Sequence, residues 1–170
     1  MEGKIFEELL LTILIVYAVA AIVGIWLAYK ILRWGIGKLY FHWRARSAGV
    51  VFTDPAGPIE ELRWGWFRIA GTAYPKDIRC VGSVVTPWTD RKGHQLDVSM
   101  ITGIWDAPVE ILILGMGIDG AIRPAPDLRN HLAEKGLREI ETLPTREACA
   151  RYNELVRAGK RVALLAHSTC

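Results

Sequence analysis

Cysteine is scarce in this 170-residue chain, and the few present do not pair. Cys80, Cys149 and Cys170 are odd in number, widely spaced and form no Cys-x-x-Cys. That excludes a disulfide framework and a zinc ribbon, and fits a reduced cytoplasmic domain whose thiols serve packing. Metal-ligand spacing is missing too. Of the four histidines, His42, His94, His131 and His167, only His167 lies close in sequence to a cysteine, Cys170. A metal site needs several converging ligands, and no such set is visible. His42, beside Trp43, reads as an interfacial side chain in preference to a pigment or haem ligand. No Gly-x-Ser-x-Gly elbow, Cys/His pairing or cluster of paired carboxylates is present, so nucleophilic and acid–base catalysis have no candidate group. The expectation is a protein that is not an enzyme and holds no cofactor or metal.

Net charge is absent where a nucleic acid would need it. Residues 1–46 hold six Lys/Arg against three Glu, which accounts for the whole net charge of +3. Residues 47–170 hold 15 basic and 15 acidic side chains. A neutral domain has little to attract a phosphate backbone, so no nucleic-acid partner is expected. Charge of either sign is missing altogether from Leu9 to Tyr29, and Thr12 is the only clearly polar residue there. At about 1.5 Å per residue this run reaches about 31 Å, the thickness of a bilayer's hydrocarbon core.

A cleaved secretory signal would start basic, run shorter and finish on a small-residue pattern. Here the start is net negative and the run ends in Trp26, Tyr29 and Lys30. The small residues Ala18, Ala20, Ala21 and Gly24 keep cleavage open as an alternative, but a retained single-pass helix is the preferred reading. Lys30, Arg33, Lys38, Arg44 and Arg46 follow the run, and only Lys4 precedes it. The positive-inside bias then places the C-terminal domain in the cytoplasm, with the helix in the cytoplasmic or intracytoplasmic membrane. Trp26, Tyr29, Trp34, Tyr40 and Trp43 occupy the position of an interfacial aromatic belt. The helix is expected to reach about Tyr40, with Gly35 and Gly37 as weak points. Ala18, Ala21 and Gly24, with Tyr17 and Ala28 on adjoining faces, offer a small-residue surface to another membrane helix. Tyr17, Ala21, Gly24, Ala28, Trp34, Trp43 and Trp64 are therefore the candidate interface residues.

Three regions are expected: the anchor and basic juxtamembrane segment at 1–46, a Gly/Pro-containing linker at 47–58, and an α/β domain at 59–170. Arg63 to Ile69, Ile78 to Val85 and Ser99 to Trp105 read as strands. Within the first, period-two placement sends Trp64 and Trp66 to one face and Gly65 and Phe67 to the other. That face is either sheet core or an exposed aromatic patch marking a partner surface. Val109 to Leu114 is almost continuously apolar, as a strand buried on both faces would be. It ends at Gly115-Met116-Gly117. A helix from Pro126 to about Lys135 capped by Gly136, a strand Arg138 to Thr142, a helix N-capped by Thr145 and closed by Gly159, and a strand Arg161 to Ala166 complete the chain. Strand–helix–strand–helix–strand with short connections implies parallel pairing. The fold class is α/β: a single N-terminal transmembrane helix, then a compact domain with a mixed sheet, antiparallel first and β-α-β-α-β after.

The Gly115-x-Gly117 turn invites a phosphate-loop reading. Gly120, however, is separated from the following helix by Ala121-Ile122-Arg123-Pro124, and no acidic residue follows at the usual distance. Gly115 and Gly117 are read as a structural turn.

The run Pro108 to Gly117, followed by Leu128, Gly136, Glu139, Pro144-Thr145, Ala148-Cys149, Tyr152-Asn153-Leu155 and Gly159 to Ala163, resembles a small α/β family. That family includes the mitochondrial NADH dehydrogenase (complex I) assembly factor 3 and an adipogenesis-associated Mth-like protein, with many short bacterial and archaeal members. Phe67 to Gly71 and Tyr74 are similar to its opening strand and turn, so the resemblance covers roughly Val50 to Ala166. It implies a compact domain without an established catalytic centre or cofactor, and a role for at least one member in assembling a membrane-bound electron-transfer complex. Met116 departs from a usual small hydroxyl residue, and the membrane helix is absent from the typical soluble members.

The expected function is a non-enzymatic, single-pass accessory or assembly subunit of a larger energy-transducing membrane complex. A photosynthetic reaction-centre or light-harvesting assembly is preferred to a complex I-like respiratory enzyme. Its partners would be integral membrane subunits and the lipid bilayer. The alternatives are a membrane-tethered adaptor for a soluble partner and a nucleotide-binding enzyme using the Gly115-Met116-Gly117 turn.

Overall fold

A computed structural model describes residues 2–47 and 49–170, with the side chains of residues 2–7, 9, 41, 42 and 44–47 outside the described set. His42 and the basic residues Lys4, Arg44 and Arg46 fall among the latter. The chain forms two compact units, Met1–Arg46 and Ser47–Cys170.

The first unit is one helix, α1 (Glu2–Ser47). It runs well beyond the expected end near Tyr40. No proline precedes Pro55, and Gly35 and Gly37 each cost only about 1 kcal/mol in a helix, too little to stop one this long. Leu10–Tyr40 is long and apolar enough to cross a membrane by length and composition, and all of it is exposed. Beyond its middle the aromatic and basic residues meet: Lys30 Nζ sits 5.1 Å from the Trp26 ring centre and Lys38 Nζ 3.9 Å from that of Trp34. Both pairs are four residues apart, the spacing that stacks side chains on one helix face.

The second unit opens with a meander of hairpins: β1 (Phe52–Thr53), β2 (Ile59–Arg63), β3 (Trp66–Ile69) and β4 (Thr72–Pro75) form a four-stranded antiparallel sheet in that order. The expected linker is therefore shorter than 47–58. From Val51, whose N–H donates to Leu62 O at 2.9 Å, the chain is already paired with the domain. Asn153 completes the attachment. It is fully buried; its Oδ1 accepts from Ile59 N–H at 3.0 Å, and its Nδ2 donates to Ile59 O at 2.8 Å and Asp54 Oδ2 at 2.9 Å.

The strand expected over Arg63 to Ile69 is in fact the end of one strand, a turn, and the next strand. Gly65, with φ +86°, turns the chain directly after Trp64. The turn breaks the period-two reading: Phe67 is buried in the core and Trp66 is only half-buried on the opposite side. Ile78 to Val85 likewise divides at Gly82 (φ +58°) into β5 (Ile78–Val81) and β6 (Val84–Pro87). Ser99 to Trp105 is not a strand. Asp97 Oδ1 accepts from Ser99 N–H at 2.8 Å and Ser99 Oγ at 2.5 Å, and this cap winds Val98–Met100 into one 3-10 turn.

The main sheet is mixed, ordered β10-β8-β11-β5-β6, with β8 (Ile111–Gly115), β10 (Glu139–Leu143) and β11 (Val162–Ala166) parallel and β5 and β6 antiparallel. A short parallel pair, β7 (Gln95–Leu96) and β9 (Arg123–Pro124), lies apart from it. Successive side chains of a strand point to opposite faces, so β8 serves two cores. Ile111 and Ile113 join Ala148, Cys149, Tyr152 and Leu155 of α3 (Thr145–Arg157), together with Leu62 and Phe67. Leu112 and Leu114 join Leu128 and Leu132 of α2 (Leu128–Glu134), together with Trp88 and Ile104. Burial on both faces is what the unbroken apolar runs of β8 and β11 required. Gly136 (φ +92°) and Gly159 (φ +71°) follow the two helices as expected.

Candidate functional site

The three parallel strands finish together. Gly115 of β8 pairs with Leu143 of β10 and with Ala166 of β11, so the segments that follow, Met116–Gly117, Pro144–Thr145 and His167–Cys170, meet at one edge of the sheet. In α/β sheets ligands bind outside this carboxyl edge. Here the edge is tied by its own atoms. Met116 N–H donates to Leu143 O at 2.8 Å, and Ile118 N–H to Thr169 O at 2.7 Å. Gly117 N–H donates to Thr145 Oγ1 at 3.0 Å, while that hydroxyl donates to His167 O at 2.7 Å. Thr145 is thus the first helical residue instead of the expected N-cap, which is Pro144, because its side chain joins two loops instead of closing its own helix.

Both turn glycines have a physical reason. A Cβ on Gly115 would stand 3.1 Å from Ala166 Cα and from Thr145 Oγ1. Gly117 has φ +97°, and a Cβ there would stand 1.6 Å from the Cys170 carbonyl oxygen. The space directly beside Gly117 Cα holds residues 169 and 170 of the chain itself.

Next to the turn lies a polar cluster assembled from distant parts of the sequence. Asp77 follows β4 and is mostly buried. Its Oδ1 accepts from His167 Nδ1 at 2.7 Å and Ser168 N–H at 3.1 Å, and its Oδ2 accepts from Arg91 Nε at 2.9 Å. Arg91 Nη2 also lies 3.1 Å from His167 Nδ1. Both atoms cannot donate across that contact, and the nearer, charged carboxylate is the better partner for Nδ1–H. The Nε2 atom is then the free acceptor of the ring. It faces Thr169 Oγ1 at 2.9 Å and Cys170 Sγ at 3.4 Å. His94 Nε2 approaches the same sulfur at 3.4 Å from the other side. Asp77, His167 and Cys170 thereby stand in the order of carboxylate, imidazole and thiol.

Burial pushes the Asp77 carboxyl up, but the hydrogen bond and charge of His167, then the hydrogen bonds of Arg91 and Ser168, outweigh it and leave the group below the ordinary carboxylate range. A carboxyl depressed on folding adds stability that is full above its unfolded value of about 3.9 and disappears as pH falls from there through the folded value. Asp77→Asn is therefore expected to flatten the loss of stability on the acid side. Unfolding free energies of the two proteins measured from neutral pH into acid should converge as pH falls; parallel curves would show that Asp77 contributes no such term. The other two thiols are of a different kind. Burial drives the Cys80 thiol up to about 12 and that of Cys149 well above its ordinary value.

The sequence did not place Asp77 or Arg91 in any site; the structure brings both beside His167. The one visible signal was the His167-x-x-Cys170 spacing, which carries chemistry only because the segment after β11 turns back over Gly117. Trp64, expected at an interface, is 9% exposed and faces its own domain. The outward ring is Trp66, with the guanidinium carbons of Arg63 and Arg68 at 5.6 and 5.8 Å from its centre. On α1, Tyr17, Ala21, Gly24, Ala28, Trp34 and Trp43 are all exposed, and a Cβ on Gly24 would meet nothing within 4 Å. No group of three or more His, Cys, Asp or Glu able to hold a metal ion occurs among the described residues.

The fold and this edge define a small mixed α/β domain with a polar cluster at the carboxyl ends of three parallel strands. The chain belongs to the family described as a protein of unknown function (DUF498/DUF598), whose family model matches residues 59–167 and begins after α1. Three solved structures are similar. An outer membrane protein from Bartonella henselae is 24% identical, with 72% of this chain and all of that one covered at a TM-score of 0.58. A protein named MT938 is 28% identical over 67% of this chain and 99% of its own, at 0.56. A Bordetella pertussis protein described as a Mth938-like domain is 19% identical over 68% and 90%, at 0.51.

Proposed function

We propose that this protein is a single-pass accessory or assembly subunit of a larger energy-transducing membrane complex. In this reading α1 is retained in an inner membrane and the α/β domain lies on the cytoplasmic side. The observation that carries it is α1 itself: an apolar stretch of bilayer length, exposed throughout, that precedes a family domain complete in its relatives without it. An exposed run of this kind is stable only in lipid or against other membrane helices. The basic residues after the run favour the cytoplasmic side for the domain. The resemblance to a complex I assembly factor favours an electron-transfer complex as partner, and photosynthetic and respiratory complexes share the required chemistry.

Tyr17, Ala21, Gly24 and Ala28 lie at positions i, i+4, i+7 and i+11, one face of the helix. Helices in lipid gain no hydrophobic drive from one another, so close approach over Ala21 and Gly24 supplies the contact. The test is purification of the tagged full chain from gently solubilised membranes. A stoichiometric set of integral subunits is expected, photosynthetic or respiratory according to their spectra, and Gly24→Leu is expected to lower their yield several-fold. Recovery with a soluble protein alone would favour an adaptor. A mature N-terminus beginning after Tyr29 would remove the anchor and with it the proposal.

A further inference from the structure

The geometry points to Cys170 as a nucleophilic thiol, with His167 as its base and Asp77 as the group that positions the base, a site for covalent exchange with disulfides. This goes beyond the anchoring role and does not depend on it. Three observations carry the assignment. Cys170 is partly exposed, unlike Cys80 and Cys149. Its sulfur lies 3.4 Å from His167 Nε2, and the opposite ring nitrogen is held 2.7 Å from Asp77 Oδ1. The base is itself fixed: His167 is buried, its N–H donates to Gly115 O at 3.0 Å, and its carbonyl accepts from Thr145. A nucleophile beside a base that a third group orients is the arrangement that activates Ser and Cys in unrelated folds.

His94 approaches the sulfur at the same distance but is exposed, and no described carboxylate orients it. His167 and His94 are the titratable side chains that reach the sulfur, and Asp77 and Arg91 stand behind His167 at its other ring nitrogen. Arg91 is engaged with Asp77 and keeps that carboxylate ionised and in place. Thr169 Oγ1 lies 2.9 Å from the same Nε2 atom and 3.9 Å from Cys170 Sγ, so the hydroxyl borders both partners of the proton transfer.

The step balances without a further reactant. The Cys170 S–H proton passes to His167 Nε2, and Sγ attacks one sulfur of an external disulfide. The S–S bond of that disulfide breaks as the new Sγ–S bond forms. The departing thiolate takes the proton from His167. Cys170 is oxidised to a mixed disulfide and the departing thiol is reduced.

The test uses the reduced full chain in mild detergent and a neutral disulfide probe, dithiodipyridine. Release of thiopyridone gives the rate, and mass spectrometry gives the site. Modification is expected at Cys170 first, about tenfold or more faster than in a peptide of residues 161–170, with Cys80 and Cys149 unmodified while the protein stays folded. His167→Gln is expected to reduce the rate to that of the peptide, and His94→Gln to change it little. The peptide's rate climbs about tenfold per pH unit below neutrality. The wild-type rate is expected to rise less steeply, and Asp77→Asn to restore the steep climb, which a purely structural Asp77 would not do. A wild-type rate and pH slope equal to the peptide's would overturn the assignment even if no variant folded, and so would a rate insensitive to His167→Gln in a folded variant.

Discussion

Asn153→Leu is expected to lower the unfolding free energy by about 2–4 kcal/mol. Leucine has the same branched heavy-atom skeleton but no polar atom, so the N–H and carbonyl of Ile59 lose their side-chain partners together. Ile59 is fully buried, and no water can replace the lost bonds without opening the core. Each stranded group costs about 1–3 kcal/mol. The Nδ2 bond to Asp54 disappears as well, leaving that carboxylate to Arg157 and the Ala56 backbone N–H. Gly57 packs directly on this amide: a Cβ there would lie 2.0 Å from Asn153 Nδ2. The segment 52–59 is consequently the part that should loosen first. Urea denaturation of the full chain in mild detergent, followed by near-ultraviolet circular dichroism, gives the energy. Amide exchange at Ile59 reports the site. A loss under about 0.5 kcal/mol with Ile59 still protected would mean that another group takes over both bonds.

The legible parts of this fold were those with one strong local signal. Strands β8 and β11 announced themselves by unbroken apolar runs, and α2 and α3 by Pro126 and by Gly136 and Gly159. What failed was continuity. Arg63 to Ile69 and Ile78 to Val85 each look like one strand, because the β-branched and aromatic residues on both sides of Gly65 and Gly82 hide a two-residue turn. Ser99 to Trp105 has strand-like composition, but the carboxylate of Asp97 offers the backbone a competing turn, and composition does not weigh that option. Trp64 and Trp66 were given one face for the same reason, and the turn at Gly65 leaves Trp64 buried and Trp66 half-buried.

The polar cluster lay beyond sequence reading for a different reason. Asp77, Arg91 and His167 come from three segments up to 90 residues apart, and only the sheet order places the β4–β5 connection beside the end of β11. Pattern rules see neighbours in sequence, while this site is made of neighbours across a sheet edge. His167-x-x-Cys170 was visible as a spacing. Its meaning depends on Gly117 leaving room for the Cys170 backbone, a dependence no spacing rule contains.

That dependence yields the second large effect. Gly117→Ala is expected to cost about 2 kcal/mol and to detach the segment 169–170 from the turn. About 1 kcal/mol is the ordinary penalty for an L side chain at positive φ, here +97°. The remainder follows from where the new methyl falls, 1.6 Å from Cys170 O and 3.1 Å from Thr169 O. One side must move. Gly117 is held on its own side by its N–H to Thr145 Oγ1, by its carbonyl accepting from Thr145 N–H at 2.8 Å, and by the Met116 bond to Leu143. Residues 169–170 are held to this turn chiefly through Thr169 O and Ile118 N–H, a bond of about 1 kcal/mol. The weaker side yields, so Thr169 and Cys170 swing away and the Ile118 amide opens to solvent. The expected result is fast exchange at Ile118, with the amides of β8 and β11 still protected. The thiol of Cys170 should also leave His167 and react with dithiodipyridine at the rate of an isolated peptide. Unchanged protection of Ile118 would show that the turn itself deforms. In that event the strand edge, and not the tail, is the soft element of the domain.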